Sequence, residues 1–312
     1  MPDTLFCLMG PTASGKTALA CDLLTRFPFE IISVDSAMIY RGMDIGTAKP
    51  GAAELQVSPH HLIDILDPPQ AYSAAQFCED ARQLSKAIIQ RGNIPLLVGG
   101  TMMYFQALQQ GLAALPDADE ALRERLLAEA ELSSWEAMHA QLQTVDPVAA
   151  ARIHPNDTQR IQRALEVFHL TGQPMSAHLA ADTTSRDFSF VNLSLMPDDR
   201  AWLHERIARR FQIMLDQGFI EEVKQLQATW SLPPSCPAMR CVGYRQALDY
   251  LAGLDDYDTF CNKGIAATRQ LAKRQLTWLR HWKDGVRFAC DKAESTGEIM
   301  AKVAEILDNT PH

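Results

Sequence analysis

The chain has 312 residues, 47% hydrophobic and 21% charged, the balance of a globular protein, which excludes a disordered or fibrous one. It contains no apolar run of the roughly 18 residues a membrane helix needs, and its opening, MPDTLFCLMG, lacks the basic-then-apolar layout of a signal peptide. The net charge of −9 argues against a polyanion partner only while its distribution is ignored: residues 1–150 hold 9 Lys/Arg against 18 Asp/Glu, whereas 151–312 hold 20 against 20.

Seven scattered cysteines with no C-x-x-C pair read as reduced thiols in a cytoplasm, without a structural zinc. The length predicts one large domain with an insertion, or two domains. In chain order, TLFCLMG is a short apolar run that ends in glycine and is followed by GPTASGKT (10–17) and then by KTALACDLLTRF, apolar at helical spacing. EIISVDS and PLLVGGT read as two more buried strands, ending at Asp35 and at Gly99, Gly100 and Thr101, with AAQFCEDARQLSKAIIQRG a helix between them. Strands alternating with helices predict an α/β fold, a parallel sheet core with helices on both faces and with ligands at the carboxyl ends of its strands.

From about residue 115 the strands stop. DADEALRERLLAEAEL, SSWEAMHAQLQ and NDTQRIQRALEVFHLTG predict helices, with Ser133 and Glu136 in a capping-box pattern and Asn156 or Asp157 capping the third. DFSFVNLSLMP returns to strand character, helices resume at 199–230, 243–253 and 258–283, and GVRFAC adds a last short strand. The expected organisation is a first part of the core over 1–114, an all-helical insertion over 115–186 and the second part of the core over 187–312.

Gly10, Pro11, Thr12, Ala13, Ser14, Gly15, Lys16 and Thr17 match the phosphate loop G-x-x-x-x-G-K-[ST] in its required strand–loop–helix context. Backbone amides there wrap a diphosphate, the lysine neutralises it and the threonine hydroxyl holds Mg²⁺. Whose diphosphate it is stays open, because no guanine motif or arginine-rich lid accompanies the loop. Asp35, at a strand end beside that anion, suits a general base or a metal-shell acid; as a bare N-cap it would be unremarkable. Thr101 offers a hydroxyl to a ligand or caps the next helix. Gly42, Gly46 and Pro50 mark a long loop suited to face a substrate.

The segment 263–287 holds seven basic residues, with Asp284 the lone acid. At about 100° per residue, Arg269, Lys273, Arg280 and Lys283 fall within about 80° of one another, with Ala267, Leu271, Trp278, Leu279 and Trp282 on the other side as core. Such a stripe fits a phosphate backbone or a solvated face. QRIQR (159–163) and RCVGYR (240–245) add two further basic clusters.

Taken together, GPTASGKTALA, ISVDSAMIYRGMDIGTAKP, HHLIDILDP, LLVGGTMMYFQAL, RIHPNDTQRIQRALEV, RCVGYRQ and TRQLAKRQLTWLR resemble, in order from about residue 5 to 285, the signatures of bacterial tRNA dimethylallyltransferases. The chain departs at Met38, where many members carry glutamine. The resemblance implies that the loop holds dimethylallyl diphosphate with Mg²⁺ on Thr17, and that the acceptor is N6 of the adenosine 3′-adjacent to the anticodon in certain tRNAs. It implies that Asp35 takes the amine proton, that Thr101 steadies the amine or a diphosphate oxygen, and that Arg206 and Arg210 assist the diphosphate.

It further implies tRNA contacts from Asp35, Ser36, Ala37, Met38 and Thr101; from Arg123; from Gln159, Arg160, Ile161, Gln162 and Arg163; from Arg240, Cys241, Val242, Gly243, Tyr244 and Arg245; and from Lys273, Arg274, Gln275, Leu276, Thr277, Trp278, Leu279 and Arg280. A cytoplasmic monomer acting on the tRNA anticodon stem-loop is expected. Two competing readings are a phosphate-loop kinase for a small metabolite and a nucleotide-dependent RNA-binding switch.

Overall fold

A computed structural model describes residues 3–113, 115–180 and 187–309. They divide into two compact units, one within the bounds Met1–Ala107 and Arg186–His312, the other within Leu108–Ser185. Residues 114 and 186, at the expected boundaries, lie outside the described residues.

The first unit is built on six strands: β1 (Asp3–Met9), β2 (Phe29–Val34), β3 (His60–His61), β4 (Ile94–Gly99), β5 (Phe188–Leu195) and β6 (Val286–Phe288). They pair in the order β3-β2-β4-β1-β5-β6, every pair parallel. Its helices are α1 (Lys16–Leu24), α2 (Ala52–Val57), α3 (Ala74–Gln90) and α4 (Met102–Gln110), the last beginning in this unit.

Both faces of the central strands are shut off from water, which is why β1 reads as a continuous apolar run instead of an alternating one. On one face Phe6, Leu8, Ile31, Leu96, Val98, Leu193 and Leu195 pack with Leu19, Ala20 and Leu23 of α1. Their neighbours Leu5, Cys7, Met9, Ile32 and Leu97 are equally buried on the opposite face. Register sets the level of the rim: Met9 pairs with Gly99 and with Ser194, and Val34 pairs with Gly99. The residues that follow β1, β2 and β4 therefore leave the sheet at one height.

The second unit is all helical: α5 (Glu120–Ser133), α6 (Trp135–Val145), α7 (Pro147–Ala150), α8 (Thr158–Thr171) and α9 (Met175–Ala180). Leu122, Leu126, Met138, Leu142, Ile161 and Leu165 form its core. The expected cap at Ser133 is corrected by one residue. Ser133 is helical and its hydroxyl donates back to Glu129 O, while Ser134 leaves helical geometry and accepts from Ala137 N. Asp157, not Asn156, caps α8, accepting from Arg160 N.

The remainder of the first unit carries α10 (Arg200–Asp216), α11 (Phe219–Trp230), a single 3₁₀ turn at Ala238–Arg240, α12 (Tyr244–Leu251), α13 (Tyr257–His281) and α14 (Ser295–Asn309). Ile299, Met300 and Val303 of α14 join the face covered by α1. A second core gathers Tyr40, Met43, Phe211, Phe219, Val223, Tyr244 and Phe260, and so ties the segment after β2 to α10–α13. The short elements α2 and β3 lie where the sequence reading named no element; neither is long enough to show a period. Among the described residues no helix is long and apolar enough to cross a membrane.

Candidate active site

The loop between β1 and α1 is built as an anion nest. Ala13 and Gly15 both take left-handed backbone (φ 64° and 93°), which turns successive amides toward one point at the N-terminus of α1. Two contacts hold the loop from behind: Gly10 N donates to Gly99 O at 3.3 Å, and Arg206 Nε donates to Ala13 O at 2.8 Å. The Arg206 guanidinium is itself placed by Trp202, lying 4.7 Å from its ring centroid. Lys16 Nζ donates to Pro11 O at 2.7 Å. Burial, reinforced by the positive charge of Arg210 and opposed by Asp35, pushes the Lys16 ammonium down to about 8. Arg210 is likewise lowered by burial, against the pull of Asp35.

Asp35 follows β2 directly. Its Oδ1 accepts from Ala37 N at 2.8 Å and Met38 N at 3.2 Å, so the bland role of capping the next turn is real. That role occupies one oxygen. Oδ2 makes no hydrogen bond among the described residues, and the negative charge acts on Lys16, Arg210, Tyr104 and Cys241. Burial and this carboxylate push both Tyr104 and Cys241 up to about 12, keeping them neutral. Thr101 Oγ1 accepts from Ser36 N at 3.1 Å, which fixes the loop that carries Asp35 to the end of β4.

Lys16, Asp35, Thr101, Tyr104, Arg210 and Cys241 line a cavity of about 610 Å³. From the residues singled out in the sequence it brings together Thr12, Ala13, Lys16, Thr17, Asp35, Ser36, Ala37, Met38, Thr101, Arg210, Arg240, Cys241, Val242, Gly243, Tyr244, Arg274, Gln275 and Trp278. Gly10, Pro11, Ser14, Gly15, Arg206, Arg245, Lys273, Leu276, Thr277, Leu279 and Arg280 are not on its wall. The wall is completed by side chains that were given no role from the sequence, among them Tyr104, Ile207, Phe211 and Met214, and by Tyr40. None carries a charge that would mark it in the sequence.

Several side chains expected to contact RNA are buried or paired within the protein. Ile161 is in the core of the helical unit, and Leu276 and Leu279 are in that of the first unit; Tyr244 is buried too, but on the cavity wall. Trp278, expected in the core, is 38% exposed and faces the cavity with Leu271. Helix α13 thus has a core face (Ala272, Leu276, Leu279), a cavity face (Thr268, Leu271, Arg274, Gln275, Trp278) and an exposed basic face (Arg269, Lys273, Arg280). Arg123 and Arg163 pair with Glu166, which has no exposed surface: Arg123 Nε lies 2.9 Å from Oε1 and Arg163 Nη1 2.6 Å from Oε2. Gln159 and Arg160 remain exposed on the same helix, as do Arg240 and Arg245 on theirs.

Thr17 lines the cavity on the first turn of α1, and its hydroxyl makes no hydrogen bond among the described residues. No group of three or more His, Cys, Asp or Glu side chains able to hold a metal occurs among the described residues. This donor set suits Mg²⁺, which keeps its waters and takes one or two protein oxygens plus phosphate oxygens.

A family model described as IPP transferase matches residues 38–282. The chain is 64% identical over 310 residues to a tRNA dimethylallyltransferase of Legionella pneumophila strain Lens, covering 99% of each. It is 58% identical over 307 residues to the one from Thiobacillus denitrificans, covering 98% of each. Among solved structures it is similar to a tRNA isopentenylpyrophosphate transferase of Bacillus halodurans, with TM-score 0.70, 37% identity and 98% and 97% of the two chains covered. It is also similar to a eukaryotic dimethylallyltransferase acting on tRNA, with TM-score 0.80, 26% identity and 99% and 80% covered. With the phosphate nest, the strand-end carboxylate and these matches all on one chain, the protein belongs to the IPP transferase family.

Proposed function

We propose that this chain transfers a dimethylallyl group from dimethylallyl diphosphate to N6 of the adenosine 3′-adjacent to the anticodon in certain tRNAs, releasing pyrophosphate. The observation that carries this reading is the shared cavity: a nest of amides with Lys16 and Arg210 stands beside a carboxylate whose second oxygen is unclaimed. Those are the two demands of the reaction, a place for a leaving diphosphate and an acceptor for one proton.

The N6 lone pair is delocalised into the adenine ring, so N6 is a weak nucleophile until its N–H proton has somewhere to go. Asp35 Oδ2 accepts that proton as N6 bonds to the allylic carbon. The carbon–oxygen bond breaks, and its electron pair leaves on pyrophosphate. The loop amides, Lys16 and Arg210 stabilise that charge, and Arg206, itself held over Trp202, keeps the loop in shape through the Ala13 carbonyl. Thr101 keeps the Asp35 loop at the right height through Ser36. Bound Mg²⁺, held by Thr17 and diphosphate oxygens, would supply further charge neutralisation on the leaving group. Within the cavity Ile207, Phe211, Met214 and Leu271 offer the isoprenoid an apolar wall.

Reaching a base in an anticodon loop requires turning it out of its stack, at a cost of roughly a few kcal/mol. The exposed arginines at 160, 240 and 245 and the basic face of α13 supply backbone contacts that offset it. Labelled dimethylallyl diphosphate, Mg²⁺ and unmodified tRNA should give label in RNA. Phosphate transfer from ATP to a small molecule, with no label in tRNA, would overturn the reading in favour of a kinase.

A further inference from the structure

Asp35 is aimed by more than its own turn. The stretch that follows it, 38–41, lies beside 64–66 as a short parallel ladder. Asp64 N donates to Met38 O at 3.2 Å, Leu66 N to Ile39 O at 3.0 Å and Arg41 N to Leu66 O at 2.9 Å. Met38 is therefore held on both sides, its carbonyl by Asp64 and its amide by Asp35 Oδ1 at 3.2 Å. The second line of this ladder is not relaxed. Leu62 and Asp64 take left-handed backbone, with φ 62° and 55°, and so does Ala48 at 51°. Residues without glycine's freedom keep that geometry only where neighbours fix it, and they gather at functional sites.

Lys49 is the neighbour that fixes it. Its side chain is 3% exposed, and its ammonium donates to Asp64 Oδ1 at 2.5 Å, Asp44 Oδ1 at 2.6 Å and Tyr40 O at 2.9 Å, which uses every proton it has. Asp64 and Tyr40 lie on opposite lines of the ladder, so the ammonium staples the two together. Taking an ammonium out of water is expensive, and apolar packing often stabilises a segment as well. What the charge adds is direction, because each donor fixes one oxygen. From it an unbroken path of hydrogen bonds runs through the Asp64 carboxylate and amide to Met38, and through the Met38 amide to the Asp35 carboxylate.

We propose that Lys49 is a positioning residue for Asp35: through Asp64 and Met38 it sets the direction in which the second carboxylate oxygen faces the acceptor amine. This rests on the prenyl-transfer reading, with Asp35 as the base.

Single-turnover transfer from labelled dimethylallyl diphosphate to tRNA, with Mg²⁺ and the full chain, tests it. Lys49→Met keeps the length of the stem and strands no buried charge, because the Asp44 and Asp64 side chains are 60% and 43% exposed. Its kcat should fall by about 10–10²-fold, the cost of a small misplacement of a reacting group. Pyrophosphate affinity should hold at the wild-type value, since Gly99 and Arg206 anchor the phosphate loop independently. Asp64→Gly, which takes the left-handed backbone freely and removes only the carboxylate, should lower kcat likewise and serves if the lysine variant does not fold. The deciding comparison is a double-mutant cycle: added to Asp35→Asn, Lys49→Met should change kcat by less than roughly twofold, because the group it aims is already gone. A folded variant with wild-type kcat, or a loss that multiplies in full with that of Asp35→Asn, overturns the assignment. Label in tRNA at the same rate from wild type and Lys49→Met sinks only the role of Lys49, whereas a wild type that leaves tRNA unlabelled sinks the reaction and this role with it.

Discussion

Tyr244 Oη donates to Glu222 Oε1 at 2.6 Å, and this pair of a buried phenol and a half-buried carboxylate helps fasten the segment after β2 to α11 and α12. The same carboxylate accepts from Asp44 N, Ile45 N and Gly46 N at 2.9, 2.6 and 3.1 Å, so one side chain satisfies three consecutive amides of a cavity-lining loop. Glu222→Ala should leave those donors unpaired, at about 1–3 kcal/mol for each one that water cannot reach. A fall in melting temperature with a raised KM for tRNA is the expected result. Tyr244→Phe, which removes only one of the four bonds, should cost about 1 kcal/mol.

Asp35→Asn separates the two tasks of that side chain. Asparagine Oδ1 still accepts from the Ala37 and Met38 amides, so the turn and both binding affinities should persist. The second oxygen becomes an amide nitrogen, which cannot take a proton, and kcat should drop by about 10²–10⁴-fold. Single-turnover prenyl transfer measures it; a variant with near-normal rate would remove Asp35 as the base.

Lys16 gives the site a pH dependence whose sign is set by burial. Its ammonium is lowered to about 8, so positive charge in the nest is lost as pH rises through that value. Pyrophosphate affinity should therefore weaken as pH rises above 8, beyond any change from the ligand's own titration. Lys16→Met should bind more weakly throughout and lose the inflection. The stability linkage runs the other way: the folded state binds fewer protons than the unfolded chain between about 8 and 10.5, so this residue favours folding increasingly across that window. Titration calorimetry and denaturation at stepped pH separate the two effects.

Glu166 holds the helical unit together. Burial raises its pKa, but Arg163, the Asp119 amide and Arg123 outweigh that and leave the net shift downward, so the carboxylate stays charged. Removing one partner of a buried charge network costs about 3–5 kcal/mol. Arg163→Ala should loosen the unit by an amount near the lower end, because Arg123 remains; Glu166→Ala should cost more. Hydrogen exchange resolved to residues 120–171 checks both, with amides of β1 and β4 as an internal control.

Local patterns in the chain identified much of this. The phosphate loop, the strand ends at Asp35 and Gly99 and the helical character of 120–171 are all recorded within a few residues of themselves, as period, glycine spacing or cap. Even the Ser133 error was one residue, since a capping pattern names a turn more firmly than the residue whose backbone leaves the helix.

What tertiary structure alone decided is which side chain meets which across long separations. Thr12 and Gln275 are 263 residues apart, and Glu222 reaches Ile45 across 177. The family resemblance offered Arg123, Arg163 and Gln275 as contacts to RNA; in the fold the first two pair with Glu166 and the third with the phosphate loop. Charge and periodicity are properties of a segment, whereas satisfaction of a buried polar atom depends on whatever the fold brings against it. The sequence alone determined that an anion site would sit at the strand ends; the packing of α13 against that rim decided which of its donors stay free.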